Sequence, residues 1–475
     1  MMPEGASQRP LPALRVDGAG ARHIDYRKVL ALGLPLFLNT GMQAVLSLTD
    51  TWFIAHISVA ATAAMGATFF LVIAVILLFG GIGLAVQTIA AQSFGRGQYV
   101  RASRVTWMGL WGAALLTPLL CLVALAGDAI LAPFQLDPDV HELAAAYWFP
   151  RIVGTPLSVS MWALAGFFNG IGNTRVTLAI AAAGAVCNVL FNAVFIFGLD
   201  LGIAGSAWAT TVSLALANAL ALMAFLRPSL RPQFKPHLTW RPHLRPIASL
   251  FALGIPTGLF AAVDLIGISL FQLMQVKLGA IAGAVTQIVM MLTSTAFYPA
   301  LGLAIAGTTL VGQSIGAGDR SWAFRVGNAA IKLAVAYMGA VGLFLGVFGE
   351  WLVARFVDVG DARAGELIHT GGILLWIAAA YQVFDALNMG SAFCLRGAGD
   401  VKVPTFMLVG LSWFCFVPLA HALSFAPGEG WVNFLPQFGL GVVGGWLAAL
   451  VYVAALGMML FWRWRSGAWR NIRLR

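Results

Sequence analysis

The chain has 475 residues, 60% of them hydrophobic and only 10% charged, with a mean hydropathy of +0.87 and a formal net charge of +10. So few charges cannot cover a water-soluble domain of this size, which leaves an all-α integral membrane protein. Four cysteines without paired spacing (Cys121, Cys187, Cys394, Cys415) and seven scattered histidines give neither a disulfide framework nor a zinc site.

Residues 1–28 carry Arg9, Arg15, Arg22, Arg27 and Lys28 but no apolar core, so they read as a cytoplasmic tail and not as a cleavable signal peptide. Twelve apolar stretches follow, at roughly 29–56, 62–92, 102–126, 143–168, 176–198, 201–226, 246–276, 281–314, 323–348, 367–395, 403–424 and 437–462. Each suits an α-helical membrane span. The first six make an N-lobe (29–226) and the last six a C-lobe (246–462). Between them runs a basic, Pro-rich cytoplasmic linker (227–245), and residues 463–475 form a basic cytoplasmic tail.

With both termini inside, all Lys and Arg residues sort to the cytoplasm except Lys277, Arg355 and Arg363 outside, and Arg151 and Lys332 within helices. Asp128, Asp200, Glu350, Asp358, Asp361 and Glu429 are among the acids that fall outside. This is the positive-inside pattern. It accounts for the stretch "RPSLRPQFKPHLTWRPHLRP" (227–246) as an ordinary cytoplasmic loop, with no nucleic-acid partner needed.

The two halves echo each other. "LGLP" at 32–35 returns as "LGIP" at 253–256, and "AQSFGRG" at 91–97 returns as "GQSIGAG" at 312–318, both 221 residues later. "NGIGNTR" at 169–175 pairs with "RGAGDVK" at 396–402. Six helices per repeat is an even number, so the two bundles share one orientation and are related by a pseudo-twofold axis along the membrane normal. Such bundles face each other across a cleft, the architecture of a transporter. No GxxxxGK[ST] loop is present for ATP, no cofactor is implied, and no nucleophile–base or metal constellation suggests an enzyme. Transport would run on an ion gradient.

Three acids lie well inside predicted helices: Asp50, Asp264 and Asp385. An ionised Asp near the bilayer centre costs about 3 kcal/mol, so each either satisfies a kinked backbone or pairs with a cation, or has a function in ion or substrate passage. Lys332 is the nearest partner by depth, and Arg151 can snorkel toward the outer interface. Asn188 and Asn192 stand i, i+4 on one helix face, and so do Tyr381 and Asp385. The asparagine pair fits a polar site and fits interhelical hydrogen bonding equally well.

The stretches "LSLTDTWFIAH", "AQSFGRG", "GFFNGIGNTR", "GIAGSAWATTVS", "LGIPTGLFAAVD" and "YQVFDALNMGSAFCLRGAGD" occur in that order. Together with the repeat they give a chain that resembles the multidrug and toxic compound extrusion (MATE) transporters, the NorM-like branch most closely. The resemblance implies a monomeric antiporter of the bacterial inner membrane that exchanges H⁺ or Na⁺ for cationic or amphipathic drugs. It implies Pro35 as the site of a bend in helix 1, and Asp50, Asn188, Asn192 and Thr210 as an N-lobe polar site. Asp264, Asp385 and Tyr381 would form a C-lobe cation site able to hold Na⁺. Asp264 stands where NorM-like proteins usually carry Glu, and Asn192 where the DinF-like branch has Asp. A flippase for lipids or lipid-linked oligosaccharides, of the same superfamily, is the other function class. It would be expected to place bases in the cleft.

Overall fold

The computed structural model describes residues 11–134, 136–356 and 364–472. Asp358, Asp361 and Arg363 lie outside the described residues, as do the first ten residues of the N-terminal tail and the last three of the chain. The first span, α1 (Tyr26–Ala55), is followed by α2 (Val59–Gly95), α3 (Tyr99–Leu125), α4 (Pro138–Gly170), α5 (Thr174–Gly198) and α6 (Gly202–Leu226). The second bundle holds α7 (Leu244–Lys277), α8 (Ala280–Gly316), α9 (Arg320–Val347), α10 (Ala364–Ala398), α11 (Lys402–Ser424) and α12 (Gly441–Ser466). Among the described residues, eleven of these runs are long and apolar enough to cross a membrane, and α1 precedes them. The protein is a multi-pass membrane protein of two six-helix bundles.

Most helices run two to four residues past the predicted spans, because hydrogen-bonded turns continue where the apolar pattern stops. At 1.5 Å per residue, the 37-residue helices α2 and α8 are about 55 Å long, well beyond a hydrocarbon core of about 30 Å. The fourth span is divided at Gly154, where Val153 ends one helix and Thr155, followed by Pro156, starts the next. The last span is displaced from the expected 437–462. Gly439 and Gly441 adopt φ of +69° and +60°, which breaks the apolar run 434–440 out of the helix, and the helix then carries on through Arg463 and Arg465.

The lobes meet along two seams, α2 against α7 and α1 against α8. Each is close enough to need glycine. A Cβ on Gly258 would stand 1.9 Å from the Leu78 carbonyl oxygen, and one on Gly302 would stand 2.4 Å from the Phe37 nitrogen.

On the face that carries the linker and the basic helix ends, called the basic face here, the seams are reinforced by reciprocal hydrogen bonds. Thr88 Oγ1 donates to the Arg396 carbonyl (3.2 Å) and Gln92 Nε2 to the Gly397 carbonyl (3.0 Å). Their repeat equivalents do the same in the other direction: Thr309 Oγ1 donates to the Asn169 carbonyl (3.0 Å) and Gln313 Nε2 to the Gly170 carbonyl (2.8 Å). Among the described residues, every hydrogen bond between the lobes lies on this half of the molecule. Hydrogen bonds therefore tie the lobes together on the basic side.

Two further elements cover the basic face. The N-terminal tail folds into a hairpin, β1 (Leu14–Val16) with β2 (Arg22–Ile24), docked on the C-lobe. Arg22 pairs with Asp319 at 2.8 Å, and buried Trp322 donates Nε1 to the Pro12 carbonyl at 2.9 Å. The linker lies along α3: Phe234 is buried against Phe94, Tyr99 and Phe167, and Trp107 donates to the Pro236 carbonyl at 2.8 Å.

Candidate functional site

The N-lobe cluster forms where the far ends of α1, α5 and α6 converge. Asn192 Nδ2 donates to Asp50 Oδ1 at 2.8 Å and to the Asn188 carbonyl at 3.0 Å. Asn188 Nδ2 reaches Thr210 Oγ1 at 3.3 Å, and that hydroxyl donates to the Ser206 carbonyl. Both asparagines are buried, and Asn192 Oδ1 has no hydrogen-bond partner. The i, i+4 spacing puts both amides on the face turned to α1, and immediately after Asn192 the helix widens into a π turn, residues 193–198. Pro35 sits inside an unbroken α1, fifteen residues before Asp50, and removes one backbone donor there.

Arg151 does not behave as a free snorkelling base. It is only partly exposed, its Nε is buried without a partner, and it lies within electrostatic reach of Asp50 and Tyr147. A neighbouring helix thus supplies the counter-charge that α1 lacks. This positioning is not readable from the sequence, because it depends on tertiary packing.

The C-lobe cluster draws on α7, α10 and α12. Asp264 accepts a hydrogen bond from Tyr452 Oη at 3.1 Å, and Asp385, 6% exposed, accepts one from Asn388 Nδ2 at 3.4 Å. The Asp264 charge reaches Asp385, and both reach Tyr381. No hydrogen bond joins the two carboxylates directly among the described residues. Asn388 Oδ1 is buried without a partner, an unused oxygen beside a carboxylate. Carboxylate, amide and phenol oxygens are hard donors that suit a proton or an alkali cation. Among the described residues no group of three His, Cys, Asp or Glu could hold a transition metal.

Sequence reasoning missed Tyr452 and Asn388. Asn388 stands three residues after Asp385 and could have been found by helical spacing. Tyr452 could not, since only tertiary packing brings α12 to α7. Phe416 stacks on its ring at 4.6 Å, from a second π turn over Ser412–Phe416 in α11. Lys332 does not pair with any of the three acids. It is exposed on α9 and lines a groove with Arg465. Arg396, one residue past the predicted span 367–395, is the third residue from the end of α10, with its guanidinium over the Phe393 ring at 3.8 Å.

Removing Asp50's charge should separate its roles. Asp50→Asn retains the volume and a hydrogen bond to Asn192 but removes the charge facing Arg151. We expect membrane-inserted protein whose efflux of an organic cation is reduced several-fold. Unchanged efflux would make Asp50 a helix-packing residue only.

The MatE family profile matches residues 35–194 and 265–421. Among curated proteins the chain is 29% identical over 452 residues to a "Probable multidrug resistance protein NorM" of Mesorhizobium japonicum, covering 93% of each chain. It is 28% identical to the "Multidrug resistance protein NorM" of Burkholderia vietnamiensis, covering 91% of this chain and 92% of that one. Among solved structures, one described as "Crystal structure of MATE in the straight conformation" superposes with a TM-score of 0.82 at 20% identity, over 94% of this chain and 96% of that one. An "Outward-facing conformation of a multidrug resistance MATE family transporter of the MOP superfamily" gives 0.80, also at 20% identity and over the same shares of the two chains.

Proposed function

The chain belongs to the MatE family, and from that premise we propose that it is a secondary active efflux antiporter of the bacterial inner membrane. It exchanges H⁺ or Na⁺ for cationic or amphipathic organic compounds. The observation that carries this is the pair Asp264 and Asp385, set in the C-lobe with Tyr452, Asn388 and Tyr381 around them. A carboxylate held out of water needs a positive partner. A proton, a sodium ion and an organic cation can each supply it, and each hinders the others. That exclusion at one site, combined with two-sided access, is sufficient for antiport.

The orientation follows from the charges. We assign the basic face to the cytoplasm, so that the reciprocal bonds close the cytoplasmic side and the cleft opens outward. A cysteine introduced at exposed Leu238 should resist an impermeant thiol reagent added to intact cells, whereas one at exposed Phe434 should label. The reverse pattern would invert the assignment. For the activity itself, everted membrane vesicles containing the protein should accumulate a fluorescent organic cation when energised. Vesicles that contain the protein in equal amount and accumulate no more than empty ones would refute the efflux reading.

A further inference from the structure

A groove of about 500 Å³ opens on the C-lobe between α9, α10 and α12, with Asn328, Lys332, Val335, Leu387, Phe461 and Arg465 in its lining. It continues into a second depression of about 470 Å³ that shares Phe461 and Arg465 and adds Trp462. The interlobe seams are made by α7 and α8 with α1 and α2, so this groove lies away from them, on the flank of the C-lobe that a bilayer would surround.

Its polarity is graded along the helix axes. Arg465 and Asn328 sit near the basic face, Lys332 lies four residues deeper than Asn328, and Val335 and Leu387 lie beyond it. Lys332 is twelve residues into α9, about 18 Å along the axis. It is exposed, and among the described residues it has no hydrogen bond or ion pair. Because Cα–Cβ bonds tilt toward a helix N-terminus, its side chain leans back toward the basic face and toward Arg465. Arg465 is also exposed, with its guanidinium 5.8 Å from the Phe461 ring centre and no acidic partner among the described residues. Its neighbour Arg463 is committed elsewhere, to Asp400 at 2.9 Å.

Two unneutralised bases over an apolar slot, one near the basic face and one about a helical turn deeper, match one class of molecule present in the surrounding membrane. We propose that this groove binds an anionic phospholipid. Its phosphate lies between Lys332 and Arg465, and an acyl chain runs along Val335 and Leu387. Net negative charge is the selecting feature. A zwitterionic lipid brings its own ammonium group, which two bases repel. On the orientation assigned above, the lipid belongs to the cytoplasmic leaflet, but the binding itself does not depend on antiport.

Native mass spectrometry of the delipidated full-length protein, titrated with phosphatidylglycerol or phosphatidylcholine, tests this directly. Two basic contacts predict a preference for phosphatidylglycerol of roughly thirtyfold. The double variant Lys332→Gln/Arg465→Gln should lose that preference, while Lys332→Arg/Arg465→Lys should keep it. Both variants should still bind an organic cation, which checks their folding independently. Equal retention of the two lipids, or an unchanged preference in the double Gln variant, would overturn the proposal. Displacement of the lipid by inorganic phosphate at millimolar concentration would also overturn it, since the apolar slot would then contribute nothing.

Discussion

Asp385→Asn should reduce ion-driven efflux of an organic cation to the level of protein-free membranes. Asp385 is the more deeply buried of the two acids that carry the proposal. Its described partner is Asn388, which would donate to the carbonyl of the introduced amide almost as well as to a carboxylate. The substitution therefore removes charge while preserving shape and the local bond. Deleting one member of a buried charge pair costs about 2–5 kcal/mol, which corresponds to roughly thirtyfold or more in occupancy by a cation. Asp264→Asn should have a smaller effect, because Asp264 is partly exposed and Tyr452 already supplies it with a proton donor. It should also change how efflux depends on pH or sodium, since the remaining carboxylate no longer has a charged neighbour. Efflux should survive Asp264→Glu, which keeps the carboxylate and lengthens the side chain by one methylene. Wild-type rates in both Asn variants under an imposed gradient would remove the C-lobe pair from the mechanism.

A second large effect is expected where the two repeats touch on the basic face. A Cβ on Gly95 would stand 2.0 Å from the Gln313 carbonyl oxygen, and one on Gly316 would stand 2.1 Å from the Gln92 carbonyl oxygen. Those contacts are backbone, so no side chain can swing aside. Gly95→Ala and Gly316→Ala should each push α2 and α8 apart where the reciprocal glutamine bonds close the cleft. Overpacking of this kind costs about 1–3 kcal/mol, enough to move a closed–open balance by roughly 5- to 150-fold. Spin labels on exposed Arg175 and Lys402, at the basic-face ends of α5 and α11, should report a longer separation in either variant. Transport should fall in parallel, and the two variants should match because the contacts are reciprocal. Gly410→Ala, with nothing within 4 Å of its Cβ, is the control. An unchanged label distance in both variants would show that this contact does not hold the cleft shut.

Much of the architecture is legible in the sequence because bilayer chemistry is severe. Apolar runs mark the spans, basic loops imply an orientation, and the 221-residue offset anticipates the reciprocal bonds: Gln92 and Gln313 sit at equivalent places in "AQSFG" and "GQSIG". The N-lobe cluster is half legible, since helical spacing puts Asn188 and Asn192 on one face but cannot say that the face meets Asp50. What stays hidden depends on tertiary placement. Tyr452 reads as one aromatic among many until α12 packs on α7. Arg151 reads as interfacial until tertiary packing brings it near Asp50. The ends of α12 differ from expectation because residues 434–440 are apolar without being helical, and hydropathy does not see the positive φ angles at Gly439 and Gly441. The tail's hairpin is held by Trp322 and Asp319, more than three hundred residues away in the sequence from Pro12 and about as far from Arg22.

In the mechanism proposed above, one carboxylate pair holds either the coupling ion or the organic cation, but not both. Equilibrium binding of a fluorescent organic cation to the purified protein, titrated separately with protons and with sodium, measures this most directly. One of these ions should weaken dye binding in proportion to its concentration, dye binding should weaken that ion reciprocally, and Asp385→Asn should abolish the competition. Dye affinity that stays constant across both titrations in the wild-type protein would contradict it.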